Sequence, residues 1–147
     1  MIEAVVQRNL DELPPLGCGS HELLKDGACV MEAVAYVAGE PWSDWPECVC
    51  PVIGALLRRW NDDLPSDSER DRLLRPLVPR LVGSRADEDI EKARSWLAVD
   101  WLIREWLPAW LDLTPQLQTH GRAIRENVPK HTQHLSLIHI SEPTRPY

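Results

Sequence analysis

The chain has 147 residues, 44% of them hydrophobic and 27% charged, which is enough for one modest globular domain with a real core. Its formal net charge of −7 argues against a general nucleic-acid binder, because such proteins carry a basic face. The nearest thing to such a face is the local run of Arg70, Arg72, Arg75, Arg80 and Arg85.

No stretch approaches the ~20 apolar residues needed to span a bilayer, and the opening MIEAVVQRNLDELPP lacks the regions of a signal peptide. The expected location is therefore the cytoplasm, with no membrane partner. The cysteines are then thiols or metal ligands rather than disulfides. Arginine greatly outnumbers lysine and phenylalanine is absent, and both biases fit a GC-rich genome.

In chain order, residues 1–12 suit a short helix with Ile2, Val5, Val6 and Leu10 on one side, stopped by Pro14 and Pro15. Residues 16–25 read as irregular. Asp26-Gly27 is a turn, and from Cys29 the residues Val30, Ala33, Val34 and Val37 recur at helical spacing. Gly39 sits where a left-handed cap would end that helix, and Glu40-Pro41 blocks its continuation. The loop 41–47 carries Trp42, Trp45 and Pro46, so it reads as stiff and aromatic.

Cys50-Pro51 opens the next helix, since proline is favoured where its missing N–H costs nothing. Val52, Ile53, Leu56, Leu57 and Trp60 are its expected apolar face, and Arg58, Arg59, Asn61 and Asp62 its wet end. Ser66 with Glu69 has capping-box spacing and starts a helix through Arg70 and Leu74. Pro76 and Pro79 then interrupt it.

The longest helix is expected from about residue 87 to about 107, with Asp87, Glu88, Asp89 and Glu91 complementing its dipole. Trp96, Val99, Ile103, Trp106 and Trp110 follow three–four spacing, widened by Leu97, Trp101 and Leu102, while Asp100 and Arg104 form an i,i+4 pair. A helix apolar over so much of its circumference is expected at the buried centre of a bundle. Pro108 limits or kinks it, and residues 117–128 add a weak helix interrupted by Gly121. The expected fold is all-α, a compact bundle of four to six helices in a single domain over residues 1–134. The final LSLIHISEPTRPY, residues 135–147, resembles a translated sequencing adaptor joined to a shortened reading frame and is set aside from fold reasoning.

At DGACVMEAVAYVAGEPWSDWPECVCPVIGALLRRWND, and again at RLLRPLVPRLVGSRA, the chain resembles a group of small uncharacterised proteins of actinobacteria and their phages, over about residues 26–111. The resemblance implies a GC-rich bacterial or phage source. It brings no functional residue with it, because that group has no assigned activity. Trp45 stands where the resemblance implies a histidine, which weakens a ligand or base role at that position.

Four chemistries compete. Tryptophan is enriched at interface hot spots, and seven in a chain of this size are too many to assume all are interior. The preferred reading is therefore a partner-binding or regulatory module, acting on an unknown protein or on a second copy. Its surface would be Trp42, Trp45, Arg58 and Arg59. No catalytic residue and no cofactor belong to that reading.

The alternative is a small zinc protein drawing on Cys18, His21, Cys29, Cys48 and Cys50, since thiolate and imidazole suit tetrahedral zinc. The C-x-x-H and C-x-C spacings fit the usual paired ligands poorly. A second alternative is a cysteine-dependent enzyme, with Cys29 near a helix start, where the dipole favours thiolate, and His21 or His120 as base. Acid–base work by Glu32 with Asp44 and Glu47 is the remotest reading, because solvated or capping carboxylates are far commoner.

Overall fold

A computed structural model describes residues 9–127. Among them the fold is all-α, as expected. The chain divides into two compact units, Met1–Asp87 and Glu88–Tyr147, where the sequence suggested one domain over 1–134. The adaptor-like segment and most of the expected helix over 1–12 lie outside the described residues.

The first unit is built on α1, Val30–Ala38. Cys29 is its N-cap in extended conformation, and a reciprocal capping box joins Cys29 to Glu32. Gly39 ends the helix at φ 73°, and its N–H donates to the carbonyls of Ala35 and Tyr36. That left-handed conformation is cheap only without a Cβ. Both ends were legible in the sequence. Val30, Met31, Ala33, Val34, Ala35 and Val37 are all buried, so α1 is the centre of this unit.

The second helix, α2, is Pro51–Asp63, with Pro51 at its first position. Its buried residues are Gly54, Leu57 and Asn61. Of the expected apolar face, only Leu57 is buried; Val52 and Ile53 are half-buried, and Leu56 and Trp60 are exposed. The helix is rotated because Asn61 faces inward. Its Oδ1 accepts the Val30 N–H at 3.1 Å and its Nδ2 donates to the Gly17 carbonyl at 3.0 Å. A buried amide so bonded costs little to bury, and it ties α2 to the start of α1.

Next, α3 is Asp67–Leu74, a 3₁₀ turn covers Arg75–Leu77, and α4 is Val78–Leu81. Pro76 and Pro79 thus change the helix type rather than end it. The Ser66 hydroxyl caps the Glu69 N–H at 3.3 Å. The return half of the expected capping box is not formed, and the Glu69 carboxylate lies 3.6 Å from Arg72 instead. Leu13, Leu16, Leu74, Val78 and Leu81 complete the core around α1. Buried Arg70 is fully engaged, donating to the carbonyls of Asn61 and Leu64 and to Asp67.

The second unit contains α5, Glu88–Trp101, a π turn over Leu102–Trp106, and α6, Leu107–Leu111. A 3₁₀ turn at Pro115–Leu117 leads into α7, Gln118–Asn127. The π turn closes with the Leu107 N–H on the Leu102 carbonyl. Pro108 has no N–H for the Arg104 carbonyl and its ring crowds that carbonyl, so the wider turn accommodates it. Gly121 of α7 is buried, and a Cβ there would lie 3.0 Å from the Pro108 carbonyl, so glycine permits a close helix crossing.

No residue of α5 or of the π turn is buried. The expectation of a buried bundle centre is therefore corrected: the helix is as apolar as its sequence indicates, but its apolar side chains face solvent. The π turn also rotates α6 by roughly a quarter-turn relative to α5. Trp106 and Trp110 consequently do not continue the line of Trp96, Val99 and Ile103. They stack on each other instead, with ring centroids 6.3 Å apart and planes 8° from parallel.

Candidate functional site

The loop between α1 and α2 presents the candidate surface. Its base is pinned by Glu40, whose carboxylate accepts the N–H groups of Glu47 at 2.7 Å and Cys48 at 2.8 Å. Trp42 is half-buried, packed on the core, and its Nε1 donates to the His21 carbonyl at 2.7 Å. Trp45 points the other way and is 65% exposed. The Arg58 guanidinium carbon lies 3.3 Å from the centre of the Trp45 ring, and its Nη1 donates to the Asp44 carbonyl at 3.0 Å. Burial pulls the Arg58 pKa below its ordinary value, with Asp44 acting in the opposite sense.

One turn earlier on α2, Gly54 packs beside this arrangement, where even a Cβ would make ordinary contacts, 3.4 Å to Arg58 Nη1 and 3.6 Å to Met31 Sδ. Trp45, Pro46, Arg58 and Arg85 then rim a cleft of about 90 Å³ floored by Met31 and Val49. Arg59 is solvent-exposed and paired with Asp63 at 2.7 Å. Of the four residues expected to bind a partner, the structure brings Trp45 and Arg58 together. Trp42 instead anchors the loop, and Arg59 sits in an exposed helix pair. No family model, curated protein or solved structure matches the chain.

The five residues of the zinc alternative have other partners. Cys18 is exposed, with Sγ 3.8 Å from the Asp62 carbonyl. The His21 Nδ1 lies 3.0 Å from Glu32 Oε2, and its ring fills the space beside Gly17 and Gly27, where a Cβ would come within 3.0 and 2.9 Å of Nε2. Cys29 and Cys50 are buried N-caps, and Cys48 is half-buried with its thiol pushed up by burial. Among the described residues, no three His, Cys, Asp or Glu side chains form a group that could hold a metal ion.

Cys29 does occupy a helix N-terminus, but the expected thiolate is not favoured there. Burial pushes its thiol up to about 12, outweighing the hydrogen bond from the Glu32 N–H, and the Glu32 carboxylate adds to the rise. Near neutral pH the side chain is a capping thiol.

Glu32 is fully buried and accepts the N–H groups of His21 at 2.6 Å and Cys29 at 2.7 Å besides the His21 ring. It joins no carboxylate pair with Asp44 or Glu47; it fastens the 17–28 segment to α1. Sequence reasoning missed this His21–Glu32 link. The three-residue spacing of Cys29 and Glu32 signals only their own capping box, and nothing local points to His21. Arg85 reads in the sequence only as part of a basic run, and its place on the cleft rim was also missed.

Proposed function

We propose that this chain is a partner-binding helical module, with Trp45 and Arg58 of the first unit as its anchor and the cytoplasm, which keeps thiols reduced, as its place of action. The observation that carries the reading is a largely exposed indole held in place by a guanidinium, next to a side-chain-sized cleft. Exposure alone would not distinguish Trp45 from any surface tryptophan. Fixation does, because a preorganised aromatic loses little entropy on binding, and tryptophan and arginine dominate interface energetics. The cleft suits an apolar side chain of the partner, and Arg58 and Arg85 on its rim favour a neighbouring carboxylate. The expected ligand is thus a peptide segment pairing one apolar with one acidic residue.

Selection of a random peptide library on the immobilised full chain tests this. Enriched peptides should carry that pair and lose affinity by at least about 2 kcal/mol against Trp45→Ala, a hot-spot effect. Arg59→Ala should bind them unchanged. Peptides that bind Trp45→Ala as well as the parent chain would place the surface elsewhere.

A further inference from the structure

The second unit carries an apolar surface that the Trp45 site does not use. Trp96 is 66% exposed, Trp110 51%, and Trp101 and Trp106 49% each. An indole offers 150–250 Å², so these four present about 400 Å² of apolar area. Leu102 at 44%, Ile103 at 40% and their aliphatic neighbours raise the total to on the order of 800 Å², divided between the line of Trp96, Val99 and Ile103 and the separate Trp106–Trp110 face. Each partner in a stable complex buries about 800 Å², so covering this helix takes neighbours on more than one side.

The unit also lacks a core among its described residues. Those it buries in its helices are Pro108 and Gly121, neither of which is a large apolar side chain. The helix formed by α5, the π turn and α6 packs near its C-terminal end on α7. One such hairpin cannot enclose its tryptophans. Two hairpins can, because four helices surround a common core.

We propose that the second unit pairs with the second unit of another copy of this chain, antiparallel, to form a four-helix bundle around Trp101, Trp106 and Trp110. The acidic first turn of α5 disfavours the parallel arrangement. Glu88 and Asp89 lie in the first turn of α5, and exposed Arg122 lies on α7, beside the far end of the long helix. Antiparallel pairing brings the acidic turn of each copy towards Arg122 of the other, whereas parallel pairing sets the two acidic turns side by side. Opposed helix dipoles favour the same direction. The stacked Trp106–Trp110 pair supplies a flat plate that its own copy can cover.

Sedimentation velocity of the full chain across the micromolar range tests this. The expected result is a concentration-dependent dimer. Trp106→Ser with Trp110→Ser should raise its dissociation constant at least about tenfold, the loss of one hot spot. Glu88→Lys with Asp89→Lys should weaken it several-fold, and adding Arg122→Glu to that variant should restore it. Trp45→Ala should leave the dimer intact, so this inference and the Trp45 reading fail separately. A chain that stays monomeric at every concentration, a dimer indifferent to the paired tryptophan substitutions, or an open-ended series of oligomers would each overturn the proposal.

Discussion

In the first unit, α1 is apolar at eight of its nine positions and is buried over almost its whole length, whereas the helix over residues 88–111 mixes many apolar side chains with charged ones and buries nothing before Pro108. The difference lies in what surrounds each helix. The segment before α1 returns to it through Leu13, Leu16 and the His21–Glu32 link; α2 reaches it through Asn61, and α4 covers it with Val78 and Leu81. In the second unit, the only helix packed on the long one, among the described residues, is α7, near its C-terminal end. Periodicity therefore reports that a helix needs cover without saying whether the same chain supplies it.

The largest effect expected from this contrast is on folding stability. Met31→Ala empties a fully buried position in α1 and should cost about 2–5 kcal/mol in urea unfolding. Trp101→Ala removes a larger side chain but one half open to solvent, and in dilute protein should change stability by less than about 0.5 kcal/mol. A Trp101→Ala cost comparable to Met31→Ala under those conditions would erase the distinction between the two regions.

A further effect should appear at alkaline pH and be confined to the first unit. The folded chain holds the Cys29 thiol proton up to about 12, while the ordinary thiol value is 9.0, so above pH 9 the unfolded state binds fewer protons than the folded one. Stability from this group is complete below pH 9 and falls as pH rises towards 12. Cys29→Ser, which keeps a capping side chain without the titration, should flatten that part of the stability profile. An unchanged slope in the variant would assign the loss to other groups.

The sequence made the ends of the first unit's helices legible, because caps are local. Cys29, Gly39, Pro51 and Ser66 each act on backbone within a few residues of themselves. What it hid was set by distant partners. Asn61 reads as part of a wet helix end until Val30 and Gly17 are beside it, and that one buried amide rotates Leu56 and Trp60 out to solvent. The His21–Glu32 link is likewise hidden until the fold sets His21 Nδ1 3.0 Å from the buried carboxylate. The candidate site divided in the same way. Trp45 and Arg58 stand 13 positions apart and meet because the loop lies against α2, where Arg58 Nη1 donates to the Asp44 carbonyl. Trp42, three residues before Trp45, turns inward, and nothing in the local pattern separates the two indoles.

The most direct test of the contrast is amide hydrogen exchange, read by mass spectrometry on the full chain at two protein concentrations. Amides of α1 should be strongly protected and indifferent to concentration, because their cover is intramolecular. Amides of residues 88–111 should exchange quickly in dilute protein and gain protection as concentration rises. If residues 88–111 were as protected as α1 in dilute monomer, the second unit would be covered without a partner, and the division between a self-sufficient region and a partner-dependent one would be wrong.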